Sequence, residues 1–201
     1  MAEMLILLSA LVGASAFYPY IKSTIAGTVR PQLVTWSIWT VLSGVLTISL
    51  LQQNEVAAAA LSAQALIGCG LVVMFGWRRG HVQLTKLDVL CLVGAVVGIS
   101  ALVLMRDPTV AIFVAVAVDA IAFIPTFRHA WANPDEESAT TFTLSAIAAM
   151  LALTVAIMHH AKLDGIIYPI YSLVFNGATV AILLISRQVP EQDYSESRNE
   201  A

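Results

Sequence analysis

Seven stretches of this chain are apolar for long enough to cross a lipid bilayer, and that feature alone removes most folds open to 201 residues. Breaks at charge, proline and glycine place them near 4–22, 32–51, 56–76, 88–105, 108–127, 139–158 and 165–186. A hydrocarbon layer of about 30 Å takes about 20 helical residues to span. Soluble domains carry roughly 25% charged residues, whereas this chain carries 11%, is 59% hydrophobic and has a mean hydropathy of +0.84. So much apolar surface has no soluble core to enter. Within lipid an unpaired amide costs several kcal/mol, which leaves helices and closed barrels as the only spanning structures. Barrel strands alternate in polarity over about ten residues, and runs such as Val110–Val118 do not. The expected fold is all-α and integral to the membrane, with seven crossings and the termini on opposite faces.

Basic residues near span ends stay preferentially in the cytoplasm. An outside N-terminus puts Lys22, Arg30, Arg78, Arg79, Lys86, Arg128, Arg187 and Arg198 inside, against Arg106 and Lys162 outside. The expectation is a multi-pass protein of the inner (plasma) membrane with a cytoplasmic C-terminus. Most acids sit in loops and in the tail, so the net charge of −3 identifies no partner. The tail from Gln188 to Ala201 is polar and reads as disordered. Cys69 and Cys91 fall within apolar spans and read as small packing residues. Ala14-Ser15-Ala16 is similar to a signal-peptide cleavage site, but no basic segment precedes the apolar run, so the segment is expected to stay as the first helix.

An internal repeat organises the spans. A shift of 106 residues lays Phe17-Tyr18-Pro19 on Phe123-Ile124-Pro125, Lys22 on Arg128, and Thr35-Trp36-Ser37 on Thr141-Phe142-Thr143. Spans 1–3 and 5–7 then become triplets of the same orientation, and span 4 becomes the extra crossing that a parallel duplication requires. The expected division is 1–76 for the first three-helix repeat, 77–107 for a cytoplasmic loop and linker helix, 108–186 for the second repeat, and 187–201 for the tail.

Pro19-Tyr20-Ile21-Lys22-Ser23-Thr24 resembles the Pro-Gln-hydrophobic-hydrophobic-Lys-Thr opening of the SWEET and PQ-loop transporter superfamily. Ser138-Ala139-Thr140-Thr141-Phe142-Thr143 is similar to the stretch that opens the second helix of each repeat there. Tyr20 and Thr126 stand where that superfamily has glutamine, so the chain looks like a divergent bacterial-type member. The one literal Pro-Gln, Pro31-Gln32, lies in a loop. The resemblance implies a 3+1+3 bundle with prolines Pro19 and Pro125 as hinges of helices 1 and 5. The alternative is that each proline simply ends its helix.

Polar residues inside the spans are the candidate site. Asp119 is the one acid well inside a span, and charge at that depth faces a cavity or a polar neighbour. It could carry a coupling proton or bond a neighbouring hydroxyl. Asn176 is the amide of helix 7, where the resemblance implies a substrate pocket; Tyr168 and Ser172 share its helix face and Tyr171 lies close by. Gln64 on helix 3 is the candidate for the opposite wall. Each amide could instead bond a neighbouring helix. Trp36 and Trp39 open helix 2 as an interface belt or a gate. Sugar-carrying relatives stack the ligand between tryptophans of helices 2 and 6, and helix 6 here has none. His129, His159 and His160 read as loop residues rather than metal ligands, and Arg78-Arg79-Gly80-His81 as a topology-setting segment that touches anionic headgroups.

No phosphate loop, catalytic triad or zinc motif is present, so the sequence asks for neither an enzyme nor a cofactor. The resemblance implies a carrier moving a small polar solute by alternating access, with protons as coupling ion if Asp119 plays that part. The expected partners are the bilayer, that solute and a further copy in a homo-oligomer; nucleic acid has no place. The alternative is a seven-helix sorting receptor, since KDEL receptors look like the same bundle without transporting.

Overall fold

A computed structural model of the chain describes residues 2–27, 31, 33–78, 80, 86–104, 106–135 and 137–188. Arg30, Gln32, Arg79, His81, Arg198 and the tail from residue 189 lie outside the described residues. The described residues form seven α-helices, α1 (Ala2–Ala26), α2 (Leu33–Gln52), α3 (Val56–Gly76), α4 (Lys86–Val103), α5 (Pro108–Ala132), α6 (Ala139–Met158) and α7 (Leu163–Ser186). Six are long and apolar enough to cross a membrane, and α4 has a shorter apolar stretch, Val89–Ala101. Large apolar side chains point outward along these helices, among them Leu7, Ile67, Val96, Val174 and Ile185. Surface of that extent and character needs a hydrocarbon cover. The molecule is a multi-pass helical membrane protein.

Two helices outrun the apolar stretches that announce them. α1 continues to Ala26 and α5 to Ala132, each past a basic residue, Lys22 and Arg128. A span read from hydropathy stops at the first charge, but the i→i−4 backbone bonds continue into the headgroup layer. His129 is consequently in the last turn of α5 rather than in a loop. Pro19 is likewise inside α1, seven residues from its end, so it does not terminate the helix. α5 also runs on past position 125, whose side chain lies outside the described ones.

Helix starts are set locally. Asp107 caps α5 by accepting the Val110 amide at 3.0 Å, with Pro108 in the first position where its missing N–H costs nothing. Ser138 caps α6 through the Thr141 amide at 3.3 Å. Gly27, at φ 78°, closes α1 in the left-handed conformation.

Three short connections, 53–55, 104–107 and 159–162, fold α2 on α3, α4 on α5 and α6 on α7 as antiparallel neighbours. They meet at one end of the bundle. There Gln53 Nε2 donates to Thr109 Oγ1 at 2.7 Å, and Thr109 Oγ1 donates to Asp164 Oδ2 at 2.9 Å. The Lys162 amide donates to the Glu55 carboxylate at 3.4 Å. At the opposite end, Arg187 Nη2 donates to the carbonyls of Pro134 and Glu137 at 2.8 and 3.2 Å.

The packing order places the site. α3 lies against both α1 and α2, and α7 against both α5 and α6. Across the molecule α1 packs on α6 and α2 on α5, while α4 covers α2 and α5. Small residues let these helices approach: Ala58, Ala111, Ala115, Ala148, Ala149 and Ala152 are all buried to within 1%. Gly68 has no room for a side chain at all, because a Cβ there would enter the Phe17 ring.

Candidate functional site

Between the two groups of helices lies a cavity of about 90 Å³. Its walls take Trp36, Trp39 and Ser43 from α2, Gln64 and Cys69 from α3, and Phe17 from α1. From the other side come Asp119 and Phe123 of α5, Thr141, Phe142 and Ser145 of α6, and Tyr168, Tyr171, Ser172 and Asn176 of α7. The structure thus brings together Asp119, Gln64, Trp36, Trp39 and the polar face of α7, residues separated by up to 140 positions in the chain. A wider hollow of about 490 Å³ lies between Ile25, Met74, Phe75, Trp77 and Arg78, but it is an open, mostly apolar surface with one cation at its edge.

Four buried side-chain polar atoms lack a hydrogen-bond partner among the described residues, and three belong to this cavity: Trp39 Nε1, Gln64 Oε1 and Tyr171 Oη. A buried polar group without a partner costs about 1–3 kcal/mol, so three around one space mark a place prepared for something polar. Tyr171 is 7% exposed. Its hydroxyl faces the Asp119 carboxyl without reaching hydrogen-bond geometry. Gln64 is held in place by absence of bulk opposite it, since a Cβ at Gly13 would stand 2.6 Å from the Gln64 side-chain carbon.

Asn176 departs from the sequence expectation in one respect. Its amide nitrogen is committed locally, to the Ser172 carbonyl at 2.7 Å and the Ser172 hydroxyl at 3.3 Å, which leaves Oδ1 as the atom it can offer. Trp36 and Trp39 turn into the cavity. Their rings continue a chain of aromatic contacts from Tyr20 (4.7 Å to Trp36) through Trp36–Trp39 (5.2 Å) and Trp39–Phe123 (5.5 Å) to Tyr171 (6.1 Å from Phe123). His159 and His160 are exposed after α6, and among the described residues no three of His, Cys, Asp and Glu converge as metal ligands.

Phe17, Ser43, Cys69, Phe123, Thr141, Phe142 and Ser145 line the cavity without having been singled out in the sequence as site residues. The signal for several of them was the repeat. Under the 106-residue shift, lining residues fall on one another: Phe17 with Phe123, Trp36 with Phe142, Trp39 with Ser145, and Ala65 with Tyr171. Gly13, which cradles Gln64, falls on Asp119. The polar chain Gln53–Thr109–Asp164 carried no sequence signal, since one loop residue and two residues in the first turns of α5 and α7, each more than 50 positions from the next, form no motif. Asp164 stands one helical turn beyond Tyr168, so this chain ties α2, α5 and α7 just past the cavity. α7 also holds a buried proline, Pro169, inside its span.

No family model matches the chain, and neither a curated protein nor a solved structure matches it.

Proposed function

We propose that the protein is a membrane carrier for a small polar solute, working by alternating access between two three-helix bundles. In this reading α1–α3 and α5–α7 are parallel repeats of the SWEET and PQ-loop kind, and α4 is the linker crossing between them. The observation that carries it is the pairing of cavity-lining residues at a constant 106-residue offset, around three buried polar atoms that lack partners. The packing order supports the same symmetry: α3 stands between α1 and α2 as α7 stands between α5 and α6, and α1 on α6 mirrors α5 on α2. Orientation is part of the proposal. Lys22, Arg78, Lys86, Arg128 and Arg187 gather at the end away from the three short loops, which assigns that end, and the C-terminus, to the cytoplasm.

The cavity is separated from the short-loop end by the Gln53–Thr109–Asp164 chain, so the conformation is the one closed to the outside. Pro19 and Pro125 supply the bends of α1 and α5, since each removes an amide hydrogen bond seven residues before its helix ends. Asp119 is the residue on which proton coupling would act, facing Tyr168 and Tyr171 of α7 and Cys69 of α3.

Counterflow in proteoliposomes tests the reading. A carrier preloaded with unlabelled solute accumulates labelled solute from outside, and Pro125→Ala slows that exchange while leaving binding intact. Saturable binding with no exchange of any bound solute would replace the carrier with a receptor of the KDEL-receptor kind.

A further inference from the structure

The chemistry of the cavity wall restricts what it can hold. One carboxylate, Asp119, lies in it, and no lysine, arginine or histidine is among its lining residues. No ion pair engages that carboxylate among the described residues, and the polar side chain beside it is the Tyr171 hydroxyl. An anion at membrane depth without a counter-charge is among the costliest arrangements a helical bundle can carry, and is tolerated where a ligand or a proton supplies the compensation. The unpartnered atoms around it narrow the choice. Gln64 Oε1 can only accept, Tyr171 Oη can accept or donate, and Trp39 Nε1 can only donate. Asn176 adds a further acceptor, because its amide hydrogens already serve Ser172. The wall therefore combines these acceptors with the Trp39 indole N–H and with the hydroxyls of Ser43, Ser145 and Ser172, which donate or accept. Much of its remaining surface is aromatic, with Trp36, Trp39, Phe123, Phe142 and Tyr168 lining the same small space.

A neutral polyol could donate hydrogen bonds to the carboxylate but would bring no positive charge to it. An anion would add a second negative charge beside the carboxylate, with hydroxyl, amide and indole donors but no cation in the wall to offset it. A protonated amine satisfies every condition at once. Asp119 can meet its charge, Gln64 Oε1 and Asn176 Oδ1 can accept from its N–H groups, and the aromatic lining suits its methylene groups and attracts cations. A hydroxyl on the far end would accept from Trp39 Nε1. The volume, about 90 Å³, favours a short molecule.

We propose that the cavity is a site for small protonated amines bearing a hydrogen-bond acceptor, with Asp119 as counter-ion and Gln64 as the second acceptor. This rests on the carrier reading for its consequence, transport of an organic cation, but not for the binding itself.

The test compares three molecules of matched size on the purified full-length protein in lipid nanodiscs: ethanolamine, ethylene glycol and glycolate, as cation, neutral isostere and anion. Tryptophan fluorescence, with Trp77 and Trp131 replaced by Phe so that Trp36 and Trp39 report, and thermal stabilisation are the readouts. Ethanolamine is expected to bind at least tenfold more tightly than either competitor, and Asp119→Asn to remove that preference. Gln64→Leu is expected to weaken ethanolamine several-fold while leaving its preference over glycolate. The wild-type comparison stands alone should Asp119→Asn fail to fold. Equal binding of ethylene glycol, tighter binding of glycolate, no response to ethanolamine, or an Asp119→Asn protein that keeps the preference would each overturn the assignment. Ethanolamine binding without counterflow upholds the amine site and sinks the carrier; counterflow of ethylene glycol with no effect of ethanolamine does the reverse.

Discussion

The two walls of the cavity are built on the same frame and furnished differently. The wall from α1–α3 carries two indoles, an amide and one hydroxyl, Trp36, Trp39, Gln64 and Ser43, whereas the wall from α5–α7 carries the acid, two phenols, an amide and a run of hydroxyls, Asp119, Tyr168, Tyr171, Asn176, Ser172, Thr141 and Ser145. At the positions that the 106-residue offset pairs, the aromatic character of Phe17 and Trp36 is kept as Phe123 and Phe142, while Trp39 becomes Ser145 and Ala65 becomes Tyr171. What is retained is what packs, and what differs is what can bind. A perfectly symmetric pair of walls would offer a solute the same groups twice. Divergence at a few positions gives the space one wall with a carboxylate and one without, which is a condition for holding an asymmetric molecule in one orientation.

The comparison can be broken hardest at Gly68. A side chain there would enter the ring of Phe17 and push it toward the cavity. Its mate at the repeat offset, Val174, is 56% exposed on the outer face of α7, where lipid accommodates any apolar shape. Gly68→Val is expected to cost about 1–3 kcal/mol as overpacking, and Val174→Ala to stay within about 0.5 kcal/mol. Thermal unfolding of both purified variants in one detergent decides. Comparable losses at the two positions would mean that the walls do not differ in how tightly their first and third helices meet.

That contrast also marks how far the sequence could be read. Apolar length located seven helices to within a few residues, because in lipid the length of an apolar run is itself the structural constraint. The ends of α1 and α5 escaped it, since a helix crossing into the headgroups is no longer governed by hydropathy. Asp119, Gln64 and Asn176 stood out as polar residues in spans where polarity is costly, and all three line one cavity. Ser43, Cys69 and Ser145 did not, because small weakly polar residues are equally at home between two helices. Nor could the sequence reveal that Asn176 spends its amide hydrogens on Ser172, which depends on one rotamer.

A middle-sized effect is expected at Trp39. Its indole N–H is buried with no acceptor, whereas Ser145 holds the paired position in the second wall without a ring. Replacing Trp39 by Phe keeps an aromatic surface beside Phe123 and removes the orphan donor. We expect Trp39→Phe to raise the stability of the ligand-free protein by about 1 kcal/mol and to weaken ethanolamine several-fold, the opposite signs that a binding group kept at the cost of stability should give. Paired thermal and binding measurements on the same preparation read both. A variant that loses stability and binds unchanged would make the indole a packing residue and leave the first wall without its donor.

The smallest expected effect asks whether the symmetry extends to the backbone. Ser9 Oγ on α1 donates to the Ala148 carbonyl on α6 at 2.8 Å, and both residues are buried to within 1%. The offset carries this pair onto Ala115 of α5 and Leu42 of α2, also fully buried, where no hydroxyl is present to make the bond. Ser9→Ala should cost about 0.6 kcal/mol, the average for an interhelical hydrogen bond of this kind in a membrane protein. If α5 crosses α2 as α1 crosses α6, a hydroxyl placed at Ala115 meets the Leu42 carbonyl, and Ser9→Ala with Ala115→Ser should return to within a few tenths of a kcal/mol of the unaltered chain. A hydroxyl that found no carbonyl there would instead be buried alone, at about 1–3 kcal/mol. The sign of the second substitution, read by thermal unfolding, therefore distinguishes a crossing copied atom by atom from one that merely shares its small residues.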